Sequence, residues 1–154
     1  MIAILHNIRS KHNVGSIFRT ADAASVEKIY LCGYTPEPLP KVSLGAEKWI
    51  PFEKVKSATA LIDRLKKSGF KIYAIEQSKK SIPYHRVNLL KLNLNRLGLI
   101  FGNEVRGLSL AVLKRADKIL EIPMRGRKES LNVAVALGIT IFHFIMLDNA
   151  QEKK

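Results

Sequence analysis

With 154 residues the chain has length for one hydrophobic core and too little for a second domain of similar size, and its 47% apolar and 25% charged residues exclude a disordered polymer. Lysine and arginine number 26 against 13 aspartates and glutamates, a formal charge of +13. That excess points to a polyanionic partner, with nucleic acid ahead of a membrane surface because no amphipathic lysine-rich helix stands out.

The chain opens on "MIAILH", which reads as a short buried strand. The run is too brief for a signal peptide, and His6 and Asn7 interrupt it. "NIRSKHN" is a polar loop, and a helix follows with Val14, Ile17, Phe18, Ala21 and Ala24 at helical spacing and Asn13 placed to cap its first turn. "KIYLCGY" is a second strand closed by Gly33. It holds Cys32, the only cysteine, so no intrachain disulfide can form, nothing has the spacing of a zinc site, and a reducing cytoplasm fits. "TPEPLPKVSLGAEKWIPF" is proline-punctuated and predicts a loop with one helical turn before a short strand at Trp49 to Phe52.

"SATALIDRLKKSG" has a serine start, a helical apolar pattern and a glycine stop, and "FKIYAIEQS" after it is a strand. "SKKSIPYHRVNLLKLNLN" carries no sustained period. Then "LGLIFG" reads as a buried strand, "LSLAVLKRA" as a short helix, "DKILEIPM" as a strand and "SLNVAVALGITIFHFIML" as a long final helix. The apolar stretch from Leu131 to Leu147 is short of the ~20 residues a bilayer span requires and contains Asn132, Gly138, Thr140 and His143, so it predicts a helix in the core or at a subunit contact. Residues 149–154 read as a frayed tail after a single domain over 1–148. Strands alternating with helices predict an α/β fold, a mostly parallel sheet flanked by helices.

Ligands of such sheets collect beyond the carboxyl ends of the strands, and three polar segments occupy those places: "HNIRSKHNVGSIFR", "FGNEVRG" and "IPMRGRKESLN". In the first, Asn13 and Gly15 open a helix whose amides could receive an anion, although neither the dinucleotide fingerprint nor the Walker lysine pattern is present. Taken singly, each has a plain structural reading. Arg19 could be a solvated helix residue, Asn103, Glu104 and Arg106 a polar turn with a capping acid, and Ser130 the cap of the last helix.

Together, "NVGSIFRTADA", "IFGNEVRGLS" and "IPMRGRKESLNVAVA" resemble, in order and wording, the three motifs of the SpoU (TrmH-like) class of RNA methyltransferases, the ribose 2′-O-methylating branch of the SPOUT superfamily. The resemblance runs from Ile4 to about Phe144. It implies a sheet whose C-terminal segment is threaded into a deep trefoil knot, a homodimer, S-adenosylmethionine as cofactor and RNA as substrate, with no metal and no membrane. Gly102 would let backbone approach the cofactor, Ile122, Met124 and Leu131 would surround its adenine, and Ile75 and Glu76 would supply another wall. Arg19 matches the family's catalytic arginine. A guanidinium with a pKa above ~12 is a poor base, so the reading preferred here is a clamp on the nascent alkoxide or a phosphate. Asn13 would orient Arg19 or the ribose, Glu104 and Asn132 would shape the site and hold Arg19 or the ribose, and Ser130 would bond near the target nucleotide. First-motif residues are often delivered across the dimer in this family. Arg9, Lys11 and His12, with Arg125, Arg127 and Lys128, then become phosphate contacts.

The chain departs from the family at Val105, where glycine is common, and since many relatives carry an extra N-terminal RNA-binding domain or flanking helices while this sequence opens directly on the catalytic fold, RNA recognition is expected to come from the domain surface, the dimer or a partner. The function these features predict is 2′-O-methylation of transfer or ribosomal RNA, transfer RNA being favoured for so small a protein. The competing reading is an RNA-binding module of the same fold without methyl transfer. A nucleotide-phosphate hydrolase lacks its Walker loop and its metal-binding carboxylates.

Overall fold

The computed structural model describes residues 1–88 and 92–151. Seven strands, Ile2–His6 (β1), Lys28–Cys32 (β2), Phe52–Val55 (β3), Lys71–Ile75 (β4), Ile82–Pro83 (β5), Leu97–Phe101 (β6) and Lys118–Glu121 (β7), form one sheet in the order β3-β2-β1-β6-β4-β7-β5, with every pair parallel. The helices are Lys11–Ala23 (α1), Pro40–Ser43 (α2), Ala58–Lys67 (α3), Leu110–Leu113 (α4) and Val133–Gln151 (α5).

A parallel sheet is covered on both faces, which is why its strands read as unbroken apolar runs. In β1, Ile2 and Ile4 belong to the core with Leu61, Ile62 and Leu65 of α3, while Ala3 and Leu5 face the other core with Ile17 and Phe18 of α1 and Leu137 and Phe144 of α5. Phe18, Phe101 and Phe144 are fully buried, each contributing about 1.5–3 kcal/mol. Phe18 meets Phe52 edge to face at 5.4 Å. Cys32 is buried, and burial pushes its thiol up to about 12, which removes it as a nucleophile at neutral pH.

Several expected boundaries move. Ser10, not Asn13, caps α1, its hydroxyl accepting from the Asn13 N–H at 3.2 Å. Asn13 lies within the first turn, its side chain free for longer-range use. The short strand begins at Phe52; Trp49 instead ends a single 3-10 turn over Ala46–Lys48. Before it, α2 takes up "PKVS" with Pro40 at its first turn, where a missing N–H costs nothing. The segment without a period supplies β5 and the one-turn helices Tyr84–Arg86 and Leu94–Arg96, with 89–91 outside the described residues. Asn132, not Ser130, caps α5, its Oδ1 accepting from the N–H groups of Ala134 at 2.9 Å and Val135 at 3.4 Å. This helix extends to Gln151, through the first part of the expected tail, and 152–154 lie outside the described residues. No helix among the described residues is long and apolar enough to cross a membrane.

Two packing facts position the site. The order β1-β6-β4-β7 sets four carboxyl ends side by side, and with them the three motif segments. Gly15 lets α1 and α2 touch: a Cβ there would lie 2.8 Å from Val42 Cβ and 3.2 Å from the Ser43 nitrogen.

Candidate active site

The start of α1 receives an anion, and it is the chain's own. Glu104, just past β6, accepts the N–H of Arg9 at 3.0 Å on one oxygen, and the N–H of Ser10 at 3.1 Å and the Asn13 side-chain amide at 3.0 Å on the other. Glu104 thus takes the two backbone N–H groups that lead into α1, beside the helix amides that the sequence suggests could receive an anion. Burial pushes the Glu104 carboxyl up, but the hydrogen bonds from the Arg9, Ser10 and Asn13 donors and from its own backbone outweigh it and hold the group below the usual carboxylate range.

From Glu104 the hydrogen bonds continue to the third motif. Since a carboxylate only accepts, Asn13 must turn its NH₂ toward Glu104 and its Oδ1 outward, where it accepts from the Asn132 amide at 3.0 Å. Asn132 must in turn present its Oδ1 to the first N–H groups of α5. One charge thus sets the orientation of two amides and ties all three motifs together. Replacing Glu104 with glutamine is expected to cost about 2–3 kcal/mol in urea unfolding, because a second NH₂ would face one of these donors. A carboxyl held low when folded contributes stability that is present above its ordinary pKa of 4.5 and lost as the pH falls through its lower folded value. The stability gap between the native protein and Glu104→Gln should accordingly close on acidification below that value.

The turn of the second motif is held by Asn103, which is buried and uses its whole amide. Its NH₂ donates to Asn7 O at 2.9 Å and the Tyr34 hydroxyl at 2.8 Å, and its Oδ1 accepts the N–H groups of Val105 and Arg106, both at 2.8 Å. Val105 keeps a negative φ, so valine is accommodated where relatives commonly have glycine, and its side chain stands exposed. Gly102 cannot carry a side chain, since a Cβ on it would lie 2.6 Å from the Gly107 carbonyl carbon and 2.7 Å from the Leu108 nitrogen. Glu76 pins the same turn from β4, accepting the Leu108 N–H at 2.7 Å.

Beyond these strand ends lies a cleft of about 330 Å³ with an adjoining lobe of about 90 Å³. Ile75, Glu76, Ile122, Met124 and Leu131 line the lobe, Gly102 and Glu104 line the larger part, and Ser130 lines both. All six residues assigned to the cofactor from sequence are therefore brought together. Ala136 adds apolar wall, and Gln77 bridges two strand ends through its amide, which donates to Ile122 O at 2.8 Å. The bonds that the Asn103 and Gln77 NH₂ groups make to Asn7, Tyr34 and Ile122 carry no sequence signal, because those partners lie far along the chain. The apolar slot with a few fixed polar groups fits the adenosyl part of S-adenosylmethionine. Among the described residues no group of His, Cys, Asp or Glu could hold a metal ion.

Arg19 is not brought into this cleft. It is exposed on α1 and lines two other cavities, one with Ser16, Thr20, Ala23 and Phe142, the other with Asp22, Ser43, Leu44, Ala46 and Trp49. The expectation that Glu104 and Asn132 hold Arg19 is corrected within one chain, since both are occupied with Asn13. Arg9, Lys11, His12, Arg125, Arg127 and Lys128 are all exposed, and none enters an ion pair among the described residues. The bond between Asn13 and Asn132 brings their two segments side by side.

The sequence model of the SpoU rRNA Methylase family matches residues 1–142. A tRNA (guanosine(18)-2′-O)-methyltransferase of Aquifex aeolicus is 35% identical over 147 residues, covering 92% of this chain and 67% of that one. The crystal structure of an A. aeolicus TrmH/SpoU tRNA modifying enzyme superposes with a TM-score of 0.89 at 32% identity, over 98% of this chain and 76% of that one. An AdoMet-bound rRNA methyltransferase from Sinorhizobium meliloti gives a TM-score of 0.82 at 27% identity, over 95% and 56%. The chain spans 67%, 65% and 37% of the lengths of three curated relatives.

Proposed function

The chain belongs to the SpoU rRNA Methylase family, and on that premise we propose that it transfers a methyl group from S-adenosylmethionine to a ribose 2′-hydroxyl of RNA, transfer RNA being favoured over ribosomal RNA. The observation that carries this reading is the hydrogen-bond chain from Glu104 through Asn13 to Asn132, which locks three motifs around a cleft of fitting size and lining. When bound, the cofactor supplies an electrophilic methyl on a sulfonium.

The chain's own residues divide the remaining work. Ile75, Ile122, Met124 and Leu131 hold the adenine dry, with Gly102 and Glu76 shaping the wall. Ser130, exposed at the junction of the two lobes, hydrogen-bonds the target nucleotide. Glu104 has both oxygens committed to donors, so it positions Asn13 rather than abstracting a proton. Arg19 clamps the developing alkoxide while the hydroxyl proton passes to water. Holding the hydroxyl in line is the larger part of the catalysis, up to about 7–11 kcal/mol for ideal alignment. The basic segments around Arg9, Lys11 and His12 and around Arg125, Arg127 and Lys128 contact phosphates on either side.

Homodimerisation belongs to the same proposal. On α5, Val135, Phe142 and Met146 are exposed, the last at 71%, although the helix is apolar all round. Phe142 shares a cavity with Arg19, so a second copy covering this face would meet Arg19 there and take it against its own cleft. Knotted threading fits the strand order, in which β7 inserts between β4 and β5, both laid down earlier in the chain. Work in the cytoplasm fits a single, buried, unpaired cysteine.

The test is incubation of purified protein with labelled S-adenosylmethionine and unmodified transfer and ribosomal RNA, followed by mapping of alkali-resistant linkages. Label at a ribose is the expected outcome. RNA binding with neither transfer nor cofactor binding in calorimetry would make the chain an RNA-binding module.

A further inference from the structure

Trp49 is the chain's single tryptophan, and its side chain is 76% exposed although the backbone beneath it is anchored. The N–H groups of Trp49 and Ile50 both donate to Ala46 O at 3.1 Å, Ala46 and Ile50 are buried, and Pro51 O accepts from Ile29 N–H at 3.0 Å. A firm base therefore holds the indole in water, where burial would be favoured unless something covers it. The same segment is pressed onto α1 at Gly15. Trp49 and Leu44 consequently share with Arg19 a cavity of about 200 Å³.

The surroundings of the ring decide what could cover it. Arg19, Lys41 and Lys48 are exposed on the flanking elements. Asp22 is the one carboxylate on the cavity wall, and Glu47 is turned to its own segment by accepting the Ser43 hydroxyl. An aromatic face beside a guanidinium and lysines is the combination that takes unpaired nucleobases, the ring stacking and the cations meeting phosphate.

The geometry points to Trp49 as a stacking platform for an unpaired RNA base beside the nucleotide whose ribose is methylated. It is a positioning residue and not a catalytic one. The assignment rests on the reading of RNA as substrate and deepens it: Arg19, the group that reaches the reacting hydroxyl, lines the same cavity, so a base on Trp49 is one adjacent in the bound strand.

Because there is no other tryptophan, emission excited at the red edge of the indole band, where the four tyrosines do not absorb, reports on this position alone. Titration with unmodified transfer RNA and with a single-stranded oligoribonucleotide should quench it at saturation. Trp49→Ala should weaken RNA binding about tenfold and raise the KM for RNA with kcat largely retained, while Trp49→Phe restores most of the affinity. Cofactor affinity in calorimetry should be the same in all three proteins. Unchanged fluorescence at RNA saturation, or native RNA affinity in Trp49→Ala, would overturn the proposal. So would fluorescence that follows protein concentration instead, with Trp49→Ala shifting the sedimentation coefficient toward a smaller species, since a second copy would then cover the ring. Quenching needs no methyl donor. Quenching without methyl transfer therefore retains this assignment and defeats the activity, whereas transfer without quenching does the reverse.

Discussion

Replacing Arg19 with alanine is expected to lower turnover by about 10²- to 10³-fold, the usual loss when one preorganised donor to a developing oxyanion is removed. Cofactor affinity should not change, because Arg19 lies outside the cleft that Ile75, Ile122 and Leu131 enclose. Stability should stay within about 0.5 kcal/mol, since the side chain is exposed and enters no ion pair among the described residues. Arg19→Lys should recover only part of the loss, because an ammonium keeps the charge and not the planar fork. Mixed dimers add a sharper test. Arg19→Ala subunits combined with subunits whose cleft is blocked by Leu131→Arg should regain activity if Arg19 serves the partner's cleft. No regain would mean that each chain uses its own arginine.

The second large effect is expected at Gly102. A methyl group there would fall 2.6 Å from the Gly107 carbonyl carbon, 2.7 Å from the Leu108 nitrogen and 2.8 Å from the Gly107 oxygen. The turn that carries these atoms is tied down on both sides. Leu108 N–H is bound to Glu76 at 2.7 Å, and Gly107 N–H donates to Asn103 O at 2.9 Å. Gly102→Ala should therefore cost about 2–4 kcal/mol, combining overpacking with loss of a charge-assisted hydrogen bond. It should also displace one wall of the cleft, lowering turnover about a hundredfold. Gly126→Ala is the matched control, since a Cβ there meets nothing within 4 Å, and its unfolding curve should overlay that of the native protein. A native-like Gly102→Ala variant would show that the turn adjusts and that the close approach is incidental.

Much of the architecture was legible because burial writes itself locally. "MIAIL" and "LGLIF" are apolar without a break since strands of a parallel sheet bury both faces, and the spacing of Val14, Ile17, Phe18 and Ala21 marks the face of α1 that meets the sheet. The three motifs named the family and collected the six residues that line the cleft. Local pattern could not say what each polar residue bonds to. Asn13 looked like a helix cap because caps are a short-range preference, yet Ser10 fills that role and Asn13 reaches Glu104, 91 residues away. Gly102 looked like a place where backbone approaches a ligand, and pattern gave no sign that its missing side chain also makes room for Gly107. Arg19 and Glu104 looked like neighbours in one site, and a single chain keeps them in different cavities.

What the amino-acid order determines alone is therefore the alternation of strands and helices, because it depends on periodicity and residue type, while the class of chemistry and the cast of residues came through the resemblance of three motifs to a known family. The partners of Glu104, Asn103 and Glu76, the cleft they frame and the outward station of Arg19 and Trp49 were decided only in three dimensions. The sheet order sets β6 between β1 and β4, and hydrogen bonds between strand ends follow that adjacency and not distance along the chain.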